Sequence, residues 1–263
     1  MTIIAERDRL TVQNLFAREL VDNVELLLFT RGRAPNIRAS QADCETCEDT
    51  LELLEQITAL SENIVLTVYD VGTDDGAATW YNVNAVPTVI IRKHAAGADE
   101  SRHPNAPDAN RATPDAAPFP RGAAGPPGTP PHDANIRFLG LPGGYEFSTL
   151  IADIVDVSRS RSDLSAATVE AIRAIDEAVH IQVFVTPGCP YCPRVARMAH
   201  QMAMQNPLVL ADVIEANEFQ SLSEQYRVQS VPKTVINNRI EFTGSLPEAK
   251  VVEAVQQAVS RNG

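Results

Sequence analysis

The sequence predicts an α/β protein built from two tandem units, each a mixed central sheet flanked by helices. Three observations carry this. Apolar runs of strand length alternate with helix-period segments along most of the chain. An offset of 145 residues places Cys44 on Cys189, Cys47 on Cys192, Val86 on Val231 and Pro87 on Pro232. In both copies 43 residues run from the first cysteine to that proline. A lone C-x-x-C is a weak signal, but two copies in the same element order are a strong one. With 263 residues the chain has room for two modest cores. Units of 1–160 and 161–263 are expected.

Taken in order, residues 5–22 place Leu10, Leu15, Phe16, Leu20 and Val21 at helical spacing. Val24–Phe29 reads as a strand, and Thr30–Asp43 as a polar loop carrying Arg31, Arg33 and Arg38 toward Cys44. A helix follows through Leu51, Leu53, Leu54, Ile57 and Leu60. Ile64–Asp70 is a second strand, Asp74–Tyr81 a short helix with Trp80 and Tyr81 as packing residues, and Val86–Ile91 a proline-led strand. Residues 94–135 differ in kind, holding nine of 18 prolines, four of 13 glycines and a single large apolar side chain, Phe119. Too little can be buried there to offset the entropy of ordering, so a mobile insertion at a hairpin tip is expected, with His94, His103 and His132 solvent-exposed. Ile136–Gly140 resumes as a strand, Tyr145–Val157 as a helix, and Ser158–Asp163 as a polar joint. The order then repeats: helix 166–178, strand 181–185, C-x-x-C helix, strand 208–214, short helix 218–226, Val231-Pro232, two strands, and a closing helix 247–259.

A net charge of −12 argues against a non-specific nucleic-acid or anionic-membrane binder. All four cysteines fall in the two pairs, Cys44-Glu-Thr-Cys47 and Cys189-Pro-Tyr-Cys192, leaving none for a stapled secreted framework. The N-terminus carries charges where a signal peptide needs its apolar core, and no apolar run approaches about 18 residues. A cytoplasmic location is therefore expected.

The chemistry concentrates at Phe184–Pro193. A buried strand ends in Thr186-Pro-Gly, and two cysteines then stand three apart at the mouth of a helix. With Cys189 at the N-cap, Pro190 would fall at the first helical position, where its missing N–H costs nothing. Unpaired backbone N–H groups and the helix dipole would then favour the Cys189 thiolate, the form that attacks disulfides. Cys192, one turn on, can resolve the mixed disulfide by attacking Cys189. At the first pair, Glu45 puts a like charge beside Cys44 and disfavours its thiolate, with Arg31, Arg33 and Arg38 available to offset it. That pair is either a weaker redox site or a structural or dormant disulfide. His200 is assigned to a helix face rather than to acid–base chemistry.

The repeated unit resembles thioredoxin and glutaredoxin. The tandem order with Cys-Pro-Tyr-Cys, Arg197-Met-Ala-His200, and the joint Glu146-Phe…Asp153-Ile-Val-Asp-Val-Ser-Arg159 is similar to the protein disulfide oxidoreductases, the glutaredoxin-like proteins of thermophiles. The likeness covers nearly all of the chain except 94–135. It implies tandem thioredoxin-like domains with Val86-Pro87 and Val231-Pro232 as cis bonds beside the cysteines, where Val231 could pair with an extended client. It implies Pro190 and Tyr191 as tuning residues and disulfide reduction, formation or isomerisation in client proteins, contributing to redox homeostasis. No bound cofactor and no metal are implied; electrons would come from a thioredoxin-reductase-type flavoenzyme. The rival within the class is a dedicated electron carrier to one partner such as a peroxiredoxin. A zinc-binding structural or adaptor protein is the alternative outside it.

Overall fold

The structure, a computed structural model, describes residues 3–32, 44–73, 75–94 and 135–260. Of the expected insertion, 94–135, residues 95–134 with His103, Phe119 and His132 lie outside the described residues, as do Arg33 and Arg38. His94, expected to be solvent-exposed, is half-buried at the end of the preceding strand, its N–H donating to the Asn23 carbonyl at 2.8 Å.

In the first half, helix α1 (Glu6–Glu19) leads to strand β1 (Val24–Thr30), helix α2 (Cys47–Thr58), strand β2 (Ile64–Asp70) and helix α3 (Asp75–Trp80). Strands β3 (Thr88–Lys93) and β4 (Ile136–Leu139) and helix α4 (Glu146–Arg159) complete it. The second half runs α5 (Ala166–Arg173), β5 (Val179–Val185), α6 (Cys192–Ala203), β6 (Val209–Glu215) and α7 (Gln220–Gln225). It ends with β7 (Lys233–Ile236), β8 (Ile240–Thr243) and α8 (Glu248–Val259). Because β3 and β4 are antiparallel neighbours, the segment joining them links adjacent strand ends.

The expectation of one mixed sheet per unit needs amending. Within the halves β1 pairs parallel with β2 and β5 with β6, the other neighbours being antiparallel. Strand β4 then pairs in parallel with β6, so the two sheets fuse into one of eight strands, ordered β2-β1-β3-β4-β6-β5-β7-β8. Alternation along the strands explains the layering. Leu26 and Leu28 of β1, and Ile181 and Val183 of β5, share one core with the apolar faces of α1, α2, α4, α5, α6 and α8. The opposite residues, Leu27 and Phe29 in the first half and Phe184 in the second, lie in two smaller cores under α3 and α7.

The seam carries charge. Arg137 of β4 and Asp212 of β6 are register partners, and the guanidinium grips the carboxylate at 2.6 and 3.0 Å with both side chains buried. Arg137 also donates to the carbonyls of Tyr81 and Asn82 at the end of α3, and His180 shares a 2.7 Å hydrogen bond with Asp212. Burial alone would push the Asp212 carboxyl up; Arg137 and His180 overcome it and hold it far below the ordinary range. Helix α5 ends at Arg173, short of the expected 178, because the Asn206 amide donates to the carbonyls of Ile172 and Ile175. Tyr81 is buried against Phe29 and Tyr69, and Trp80 packs half-buried beside them, as core packing predicts.

Candidate active site

Each C-x-x-C pair is closed on itself as a disulfide, with Cα separations of 5.6 Å (Cys44–Cys47) and 5.5 Å (Cys189–Cys192). Strand β5 delivers the second pair. Its end turns at Thr186-Pro187-Gly188, where the Thr186 carbonyl accepts from the Cys189 N–H at 3.1 Å. The sequence placed Cys189 at the helix N-cap and Pro190 at its first position. Instead Cys189, Pro190 and Tyr191 form a turn, Tyr191 is the N-cap, and α6 starts at Cys192 with Pro193 in its first turn. The proline that tolerates a helix start is thus Pro193, and Cys192 rather than Cys189 belongs to the helix. Exposure separates the two sulfur-bearing residues: Cys189 is 8% exposed and Cys192 0%. Pro190 and Tyr191 stand outside, Tyr191 at 70%. Helix α6 has no acidic residue in its first turn.

Val231-Pro232 and Val86-Pro87 are both cis; the prolines are buried and the valines half-buried. Each proline carbonyl accepts from a glycine N–H of the last strand's exit, Gly244 at 2.8 Å and Gly140 at 2.9 Å.

The exit of β4, Gly140–Tyr145, spans both sites. Beyond the Gly140 bond to Pro87, the Tyr145 N–H donates to the Pro187 carbonyl at 3.0 Å, two residues before Cys189. Gly144 sits at φ +58°, and a Cβ there would collide with that same carbonyl. The loop opens α4 at Glu146, a residue 3% exposed whose two carboxylate oxygens have no hydrogen-bond partner. Desolvation raises its carboxyl to about 7, against the opposing pull of the nearby Thr149 hydroxyl, which makes no hydrogen bond of normal geometry. Glu146 faces a cavity of about 10 Å³, room for about one water, that Val185, Pro187 and Glu215 also line.

Behind it lie Asp153 and His200. His200 Nδ1 and Asp153 Oδ2 are 2.7 Å apart, His200 Nε2 is 3.2 Å from the Arg137 carbonyl, and the ring stands edge-on to Phe138. His200 is thus a wholly buried tie between α6, α4 and β4. Burial raises the Asp153 carboxyl despite this partner.

The first pair sits differently. Cys44 is half-buried, Cys47 is buried at the start of α2, and Glu45 is exposed beside them. Thr46, the residue between, donates its hydroxyl to Glu218 Oε2 of the second half, while Glu218 Oε1 accepts from the Leu141 N–H at 2.8 Å. Desolvation raises the Glu218 carboxyl, with Glu215 adding to it and the two hydrogen bonds opposing. Arg31 is exposed.

Glu146 and Glu218 are the residues that sequence reasoning assigned no role. Glu146 was legible: it shares the i, i+4, i+8 face with Leu150 and Ile154, the buried stripe of α4. Glu218 left no local trace, because its partners come from the other half.

Comparison with known proteins agrees with this geometry. The thioredoxin-domain family matches residues 179–257. A protein disulfide oxidoreductase from Aeropyrum pernix superposes over 97% of this chain and 93% of its own, with a TM-score of 0.73 and 27% identity. The chain is a tandem thioredoxin-fold protein. The NTD_N/C domain of the Enterococcus faecalis alkyl hydroperoxide reductase shares the tandem thioredoxin fold, with a TM-score of 0.73 over 96% of this chain and 99% of that domain at 22% identity. An alkyl hydroperoxide reductase chain from Pseudomonas putida is 30% identical over 117 residues, 44% of this chain and 22% of that protein. The tandem protein therefore spans only a small part of the length of the curated relatives it matches. Among its described residues no helix is long and apolar enough to cross a membrane.

Proposed function

We propose that this tandem protein is a protein thiol–disulfide oxidoreductase working through Cys189. The observation that carries the reading is the setting of the second pair: Cys189 stands in a turn of exposed neighbours, Cys192 is wholly buried at the start of α6, and the first turn of that helix, unlike that of α2, carries no acid. The Cys189 thiolate attacks a client disulfide and displaces one client sulfur as thiolate. Cys192 then attacks Cys189, releases the second client sulfur and closes the intramolecular disulfide. Two electrons from a thiol donor, which we take to be a thioredoxin-reductase-type flavoenzyme, reopen it. Val231 offers its backbone to an extended client beside Pro232, and Val86 with Pro87 does the same at the first pair. Both pairs are redox sites in this reading, on units 1–160 and 161–263, and the pairing of every cysteine in a C-x-x-C suits a cytoplasmic, reducing compartment.

A second reading, dedicated electron delivery to a peroxiredoxin, is favoured by the likeness to the alkyl hydroperoxide reductase of Pseudomonas putida. Turnover of insulin disulfides with dithiothreitol tests the first. Wild type and Cys44→Ser are expected to be active and Cys189→Ser to be inactive; activity in Cys189→Ser sinks the assignment. Failure on insulin with efficient reduction of a peroxiredoxin disulfide would select the second reading.

A further inference from the structure

The two pairs share an architecture but not an electrostatic setting. Around the first stand Glu45 in the turn and Glu48 and Asp49 in the first turn of α2. The Glu218 carboxylate joins them from the second half, with Glu215 beside it. Around the second, α6 begins without an acid, and Tyr191, the counterpart of Thr46, points to solvent; the acids on that side, Glu146 and Glu215, line the cavity beside Pro187 rather than the helix start. A helix N-terminus that would stabilise a thiolate is, at α2, already facing anions.

Glu218 is held from three sides. Its two oxygens take the Thr46 hydroxyl and the Leu141 N–H, and a Cβ at Gly140 would lie 3.0 Å from its Cδ. Gly140, at φ +95°, is where the backbone must come this close. The carboxylate is thus pinned to the turn that holds Cys44 and Cys47, and to the loop that runs on to Pro187 before Cys189.

We propose that Glu218 is a positioning residue for the first pair. It fixes the Cys44–Cys47 turn through Thr46 and, as an anion, makes the thiolates of that pair less stable than those of the second. The consequence is two sites of different redox strength in one chain, the first biased toward its disulfide. This deepens, and rests on, the reading of both pairs as exchanging dithiols. Opening the first pair takes two electrons and two protons, both supplied by dithiothreitol, which closes to its ring disulfide.

The test uses the full chain carrying Cys189→Ser and Cys192→Ser, so that the first pair is read alone. Its equilibrium with dithiothreitol at pH 8 and the pH dependence of Cys44 alkylation by iodoacetamide are measured with and without Glu218→Gln. We expect the equilibrium to move toward the dithiol by about tenfold, or about 30 mV, and the Cys44 thiol to ionise at lower pH. Thr46→Val, which keeps the charge but loses the tether, is expected to shift the ionisation less. In the chain with all four cysteines, the second pair should not move. An unchanged equilibrium and ionisation in Glu218→Gln overturn the proposal, as does an equal shift at both pairs. A first pair that never opens in the native chain overturns it too, yet insulin turnover through Cys189 would then leave the proposed function standing. A shift in Glu218→Gln without any insulin turnover would do the reverse.

Discussion

At Glu146 the fold keeps a carboxyl that no protein donor satisfies, and the cause is its place on the buried stripe of α4. With its ionisation raised from 4.5 to about 7, the folded chain holds a proton that the unfolded chain releases. Stability from this group is therefore complete below about pH 4.5 and is lost as pH rises toward 7, up to about 3 kcal/mol in all. Glu146→Gln is expected to be more stable than wild type at pH 8 by about 1–3 kcal/mol, with the gap closing near pH 4.5, as urea melts at the two pH values would show. Glu146 also shares its one-water cavity with Pro187, two residues before Cys189, which sets up a test of whether its proton enters exchange there. On that basis the pH profile of insulin turnover should lose an inflection near 7 in Glu146→Gln. A profile that keeps its shape would reduce Glu146 to a purely structural acid. The closing of each cysteine pair on itself was readable from spacing alone. The burial of this carboxyl was readable only from helical periodicity, and the bond between Thr46 and Glu218 not at all, since 172 residues separate them.

Among the elements, the strands and helices followed their apolar periods closely, whereas their ends were set by side chains from elsewhere. The Asn206 amide stops α5, and the turn of Cys189, Pro190 and Tyr191 delays α6 to Cys192. The short exit of β4 does more than connect: its N–H groups reach Pro87, Glu218 and Pro187 within six residues. Gly144 is the tightest point, both for its left-handed backbone and for its approach to the Pro187 carbonyl. Gly144→Ala should displace this loop and cost about 1–3 kcal/mol. It should also slow turnover at Cys189 while leaving the dithiothreitol equilibrium of the first pair near that of wild type. Unchanged melting and turnover would mean that the loop yields without consequence.

At the scale of the molecule, the 145-residue repeat disclosed two units but not their fusion. Parallel pairing of β4 with β6 joins strands remote in sequence through backbone bonds, which leave no pattern in side chains. The one trace was a charge in the middle of each of two apolar strands, Arg137 and Asp212, of opposite sign. Removing one partner strands the other in a dry site, so Asp212→Asn should cost about 3–5 kcal/mol by chemical denaturation. Replacing both with apolar residues of similar size should cost much less. A double variant as unstable as the single one would show that the pair contributes more than mutual neutralisation.

The fused sheet also decides how the protein meets its neighbours. Two separate sheets would present four lateral strands with unpaired backbone groups, each able to recruit a strand from another molecule. Among the described residues, joining β4 to β6 leaves two, β2 and β8, and β8 is only four residues long with Glu241 turned outward. A half released by cleavage between the units would bare β4 or β6 along its whole length. Such a fragment is expected to self-associate through strands that, in the intact chain, have already found their match.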